Sequence, residues 1–176
     1  YKTDHHWNHI GSYKAYRDII SMVRPNDKFL QPIEEIVFDD IIKSFGYVFE
    51  DYFSSHDVDF EEIVKEFWDK NEKGIKPFYK KIQKEDDLVI TASPNFMVKE
   101  ICDRIGIKHY LGTEFDLETG KFLRGCFRER KIEFFREAYP DGAIDDFYTD
   151  SYNDKFLFPY AKRVFFVKGD KITRIK

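Results

Sequence analysis

Three short stretches of this chain hold the residue types that phosphate chemistry uses. Thr91 follows the apolar run Leu88-Val89-Ile90 and precedes Ala92-Ser93-Pro94. Ser93 is placed to cap a following helix, with Pro94 at its first position. A hydroxyl just ahead of a helix N-terminus, beside free N–H groups, can receive an anion such as phosphate. Plain capping without a ligand is the alternative use. The second stretch is Asp150-Ser151-Tyr152-Asn153-Asp154, directly after Asp146-Phe147-Tyr148-Thr149. Two carboxylates four residues apart at a strand end can hold a hard cation such as Mg²⁺, which prefers oxygen ligands. A solvated acidic turn is the other way to use them. The third residue is Lys131, at the head of Arg130–Ala138. Alone it is a surface charge. Beside the other two it is the cation that a bound phosphate or an acyl-phosphate calls for.

The elements that must position these residues follow from periodicity. Leu88–Ile90 is a short buried strand bounded by charge and by a Pro-containing turn. The next helix has Phe96, Met97, Ile101 and Ile105 on one face and stops at Gly106. His109-Tyr110-Leu111 is a strand, and Glu118-Thr119-Gly120-Lys121 the tip of a hairpin between Gly112–Asp116 and Phe122–Gly125. Arg130–Ala138 is helical, Asp146–Thr149 a strand and Asn153–Ala161 a short helix. Arg163–Val167 is a strand that turns at Gly169-Asp170 into Lys171–Ile175. Strands alternating with helices predict a parallel α/β sheet, which binds ligands at the carboxyl ends of its strands.

The residues up to about Gln83 read as helical. Tyr13, Tyr16, Ile20 and Val23 share one face, and Arg24-Pro25-Asn26 ends that helix. A second helix begins near Pro32 and carries Ile33, Ile36, Val37 and Ile41 towards Phe45. A third, capped by Asp57 or Asp59, carries Phe60, Ile63, Val64 and Phe67. Ile75, Phe78, Tyr79 and Ile82 mark a fourth. The residues thus divide into a helical part up to about Gln83 and an α/β part after it.

Composition bounds the partners. The 176 residues suit one domain with a modest insertion. With 29 Lys+Arg against 33 Asp+Glu the net charge is −4, which argues against a nucleic-acid footprint. At 35% charged and 42% hydrophobic the chain is globular. Its Phe 19, Tyr 11 and Trp 2 make an aromatic core. The longest uncharged run, Leu88–Val98, is about half the ~20 residues of a spanning helix, so no membrane partner is expected. No signal peptide is evident. Cys102 and Cys126 have neither disulfide nor metal spacing, which suits a reducing cytoplasm.

Taken together, Thr91, Lys131 and Asp150-Ser151-Tyr152-Asn153-Asp154 resemble the haloacid dehalogenase (HAD) superfamily in its phosphoserine-phosphatase-like branch. That branch has a strand-end Ser/Thr, then a Lys, then an acidic motif. Here Lys131 follows Thr91 by 40 residues and Asp150 follows Lys131 by 19. The flanks also look alike: Gly120-Lys121-Phe122 with Gly125-Cys126 before the lysine, Val167-Lys168-Gly169-Asp170-Lys171 at the end, and a helical cap that includes Phe67-Trp68.

The resemblance implies a Rossmann-like parallel core made of 1–11 and 85–176, with a helical cap at 12–84, and a Mg²⁺-dependent phosphomonoesterase. In such enzymes one Asp attacks phosphorus to form an aspartyl-phosphate, and a second serves as acid and base. Carried over, Thr91 would hydrogen-bond the phosphoryl group and Lys131 would balance its charge. Asp150 would bind Mg²⁺, and Asp154 would support the metal or orient Lys131. Ser93, Ser151 and Asn153 would line the pocket of a small phosphorylated substrate. One departure matters: the family's first motif, Asp-x-Asp-x-Thr/Val, which supplies the attacking Asp, is absent. Asp39-Asp40 and Asp57-Val58-Asp59 only approximate it. Tyr1-Lys2-Thr3-Asp4 looks like the segment downstream of that motif, so the expectation is a nucleophile strand just before residue 1. Its slot would lie between the strands ending at Thr91 and Thr149, which should then not pair with each other.

Two further features stand apart. His5, His6 and His9 surround Trp7, and His5 and His9 have the i,i+4 spacing of a metal pair, but no third partner is nearby. Polar residues leading into the helical unit are the plainer use. Cys126 has no base beside it and reads as a hairpin thiol rather than a nucleophile. The competing functions are a catalytically inactive binding protein on the same fold and a helical interaction module presenting its aromatic stripes.

Overall fold

The computed structural model describes residues 59–176. The expected helices over Tyr13–Val23 and Ile33–Phe45, the three N-terminal histidines and Asp39-Asp40 lie outside the described residues.

Helix α1 (Phe60–Asn71) begins at Asp59, whose carboxylate accepts the Glu62 N–H at 3.1 Å. This settles the choice between the two candidate caps, because only a side chain three residues upstream reaches that orphan donor. A 3₁₀ turn, Glu72–Gly74, leads to the short α2 (Pro77–Ile82), whose proline stands in the first turn, where no N–H is required. Strand β1 (Leu88–Pro94) and helix α3 (Asn95–Ile105) follow, the helix stopping at Gly106 with a left-handed φ of 75°. Strands β2 (His109–Phe115) and β3 (Phe122–Arg124) form the expected hairpin. Helix α4 (Arg130–Ala138) precedes β4 (Ile144–Thr149). A nine-residue 3₁₀ segment, Tyr152–Tyr160, then runs into β5 (Ala161–Lys168) and β6 (Lys171–Arg174).

The short helix expected after Thr149 is present as the 3₁₀ segment. Two expectations are corrected. The segments anticipated as His109–Leu111 and Gly112–Asp116 are one continuous strand. Ser93 does not cap α3: the N-cap position is Pro94 and no side chain caps this helix. The reason is pairing. β1 stays extended as far as Pro94, which sits opposite Thr113 of β2, so the chain turns one residue later than the local sequence suggests.

The described strands form two three-stranded sheets. One has the order β1-β2-β3, with β1 and β2 parallel; the other has the order β4-β5-β6, with β4 and β5 parallel. Hairpins close both, β2 with β3 and β5 with β6. No ladder joins β1 to β4 among the described residues, in line with the expectation that these strands do not pair directly. The fold class is the mixed, parallel-containing α/β arrangement read from the sequence.

Three apolar clusters hold these elements. The first joins both sheets through Leu88, Ile90, Phe134, Phe135, Phe147, Leu157 and Val164. A second packs α1 on α3 through Val64, Phe67, Trp68, Met97 and Ile101. The Trp68 indole N–H donates to the Met97 carbonyl at 2.8 Å, so this buried ring also satisfies its polar edge. The third, around Tyr79, Val89, Val98, Cys102 and Ile107, seats α2 against β1 and α3.

Candidate active site

The bend at Thr91–Ser93, inside β1 where its pairing with β2 shifts register, is built from both sides. The Thr91 hydroxyl accepts the Ser93 N–H at 3.2 Å, which leaves its own O–H available to donate. Behind this turn stands β2. The Thr113 hydroxyl donates to the Ala92 carbonyl at 2.7 Å and accepts the Cys126 N–H at 3.2 Å. Gly112 allows the closest approach: a Cβ there would lie 2.7 Å from the Ser93 carbonyl oxygen and 3.0 Å from Asn95 Cα. Thr113 and Gly112 therefore shape the turn that carries Thr91. Sequence reading placed them in a hairpin and assigned them no such part. The Thr91 turn and β2 lie about 20 residues apart, so only the parallel pairing reveals the contact.

Lys131 enters from α4 and is buried, with 1% of its side chain exposed. Its ammonium lies 2.6 Å from Asp154 Oδ1, also 1% exposed, and donates to the Ile90 carbonyl at 3.3 Å. The Ile90 carbonyl belongs to the residue before Thr91. The lysine therefore spans from the end of β1 to the segment after β4. A long amphipathic stem on an otherwise apolar helix face allows this: Phe134 and Phe135 of α4 bury the stem's surroundings while the head finds a carboxylate. Burial of an ammonium is tolerated only with such pairing. The helix is itself braced by Arg124 of β3. Its guanidinium pairs with Glu114 at 3.0 Å and Glu137 at 2.6 Å and covers the Phe134 ring at 4.0 Å. These two carboxylates raise the Arg124 pKa above its ordinary value.

At the end of β4 the Thr149 hydroxyl lies 3.0 Å from Asp154 Oδ2 and 3.0 Å from the Ser151 carbonyl, and it accepts the Ser151 N–H. Ser151 caps the 3₁₀ segment by accepting the Asn153 N–H at 3.1 Å. Both oxygens of Asp154 are thus engaged, one by Lys131 and one by Thr149. Asp150 differs. Its Oδ2 receives Lys76 Nζ at 2.9 Å, while Oδ1 is buried without a hydrogen-bond partner among the described residues. An orphaned carboxylate oxygen of this kind is an acceptor that a hard divalent cation would satisfy. Asp150 would therefore fit as one ligand of a hard divalent cation such as Mg²⁺. Among the described residues no group of three or more His, Cys, Asp or Glu forms a complete metal cluster.

A chain of contacts thus joins Ile90, beside Thr91, to Lys131, Asp154 and Thr149, and Asp150 follows Thr149 directly in sequence. It brings together the predicted residues Thr91, Lys131, Asp150 and Asp154, which the sequence spreads over 64 positions. Ser93, Ser151 and Asn153 lie within the two turns that end this chain. Neither Lys76 nor Thr149 was singled out by sequence. Lys76 sits in a lysine-rich stretch with nothing local to distinguish it, and Thr149 read simply as the last residue of a strand.

The chain was also compared with known proteins. None of the curated proteins compared matches it. A solved structure from Bordetella pertussis Tohama I, described as a protein of unknown function, is 15% identical; the alignment covers 93% of this chain and 86% of that one, with a TM-score of 0.45. The family model for haloacid dehalogenase-like hydrolases matches residues 23–157, which include Thr91, Lys131, Asp150 and Asp154. With that match spanning most of its length, the chain belongs to the haloacid dehalogenase-like hydrolases.

Proposed function

We propose that this protein is a Mg²⁺-dependent phosphomonoesterase of the phosphoserine-phosphatase-like branch, acting in the cytoplasm on a small phosphorylated metabolite. The observation that supports it is the buried Lys131 ammonium, held between the β1 end and Asp154. A cation fixed in a water-poor setting stabilises developing phosphoryl charge more than one in water, and costs no reorganisation when the charge appears. Thr91 donates its hydroxyl proton to a phosphoryl oxygen. Asp154 orients Lys131 and, through Thr149, ties it to the end of β4. Asp150 offers its Oδ1 to the divalent ion, which when bound supplies positive charge to the phosphate oxygens. Ser93, Ser151 and Asn153 surround the phosphate through their turns. The attacking carboxylate of the family is not one of these residues, so the part played here is phosphate binding, charge balance and cation holding. Both cysteines are buried and neither is in a disulfide, consistent with a reducing compartment, and no described helix is long and apolar enough to cross a membrane.

The test uses the full natural chain with p-nitrophenyl phosphate. Turnover in Mg²⁺, its loss in EDTA, and a strong loss of metal dependence in Asp150→Asn are expected. Undiminished turnover in EDTA would refute the reading. Binding of phosphate with Mg²⁺ but no hydrolysis would replace it with the inactive binding protein.

A further inference from the structure

Lys76 reaches Asp150 from 74 residues away in sequence, and its surroundings set it there. Ile75, just before it, packs on the cluster between α1 and α3. Pro77, just after it, opens α2, and Lys76 itself takes the extended backbone that a residue preceding proline prefers (φ −63°, ψ 127°). Phe78 packs beside Tyr148 with ring centroids 6.1 Å apart, and Tyr148 lies on β4, two residues before Asp150. The base of Lys76 is therefore pinned to the same strand that ends in the carboxylate it meets. The pair is sheltered, with 26% of the lysine side chain and 19% of the aspartate side chain exposed.

The contact engages Oδ2 alone and leaves Oδ1 buried and unpartnered among the described residues. We propose that Lys76 is the resident counter-cation of Asp150 and sets how tightly this carboxylate takes up a divalent ion. The inference rests on Asp150 being the cation ligand. One ammonium cancels one carboxylate charge, so a divalent ion arriving at Oδ1 meets a site already neutralised and a positive charge one carboxylate away. Both effects weaken its binding.

The experiment is direct titration of the full natural chain with Mn²⁺, followed by electron paramagnetic resonance, and with Mg²⁺ by calorimetry. Lys76→Gln and Lys76→Met should bind about tenfold more tightly than the natural chain, equivalent to about 1.4 kcal/mol. Lys76→Arg, which keeps the charge, should bind like the natural chain. A merely structural role for Lys76 would loosen the site and weaken binding, the opposite direction. Unchanged or weaker binding in both neutral variants, with Asp150→Asn still abolishing it, overturns the inference while leaving the assigned function intact. Binding that survives Asp150→Asn removes the cation-ligand role of Asp150, and the inference falls with it.

Discussion

Replacing Lys131 by Met separates what the buried ion pair contributes to stability from what it contributes to chemistry. Methionine keeps much of the stem and removes the ammonium. Both partners are 1% exposed and 2.6 Å apart, so Asp154 would lose its counter-charge in a place water does not reach. Breaking a buried pair by removing one member costs about 3–5 kcal/mol. The Ile90 carbonyl also loses a donor, worth about 1 kcal/mol. For a chain of this size the combined loss of about 4–6 kcal/mol lowers the melting temperature by roughly 8–24 °C. The second variant is Lys131→Met with Asp154→Leu, which removes both charges. It should recover most of the lost stability, because an apolar pair of similar volume is often as stable as a buried ion pair. Neither variant should turn over phosphate esters, since both lack the cation. The assay is urea unfolding followed by circular dichroism, with phosphatase turnover on the same samples. A Lys131→Met variant within about 1 kcal/mol of the natural chain at unchanged denaturant slope would refute the reasoning. It would mean the pair is solvated, and a solvated lysine has no special hold on a phosphoryl group.

Gly112→Ala would force a Cβ to 2.7 Å from the Ser93 carbonyl oxygen, and backbone cannot swing aside as a side chain can. Expected are a loss of about 1–3 kcal/mol in stability and a fall in kcat, checked by unfolding and steady-state kinetics. Thr113→Val removes the hydroxyl that bridges the half-buried Ala92 carbonyl and the buried Cys126 N–H. It should cost about 1–3 kcal/mol and raise the KM for the phosphate ester, while Thr113→Ser largely restores both. Burial pushes the Cys102 thiol up to about 12, from an ordinary value near 9. The folded protein therefore resists thiol-directed reagents at about pH 8 until it is unfolded in urea, as a dithionitrobenzoate titration will record. The sign for stability follows from the raised value. This group contributes no pH dependence below about pH 9, and stability declines from there towards pH 12 as the unfolded thiol ionises first. Asp59→Ala should cost about 1 kcal/mol by removing the α1 cap, measured by the unfolding midpoint.

The local elements were legible because their causes are local. Asp59 caps α1 and Gly106 ends α3, each through a contact or backbone preference within one turn of chain. Hydrophobic period identified α1, α3 and α4, and the apolar runs identified β1, β4 and β5. The order of Thr91, Lys131 and Asp150 was likewise readable, since residue type and spacing are properties of the linear chain. The features beyond its reach depended on contacts between distant segments. Ser93 is not a cap because pairing of Pro94 with Thr113 keeps the strand extended, and local preference yields to a ladder formed with a distant strand. Gly112 and Thr113 matter through what β2 touches, not through what surrounds them in sequence. By residue type alone the two acids of the Asp150 motif are equivalent, and only the family resemblance tells them apart. In the structure Asp154 is buried and held by Lys131 and Thr149, while Asp150 gives one oxygen to Lys76 and keeps the other buried with no hydrogen-bond partner among the described residues. A carboxylate's role depends on which charges and donors the fold places within about 3 Å of it. That distance is set by packing of strands and helices, so residue order names the candidates and tertiary structure divides the work between them.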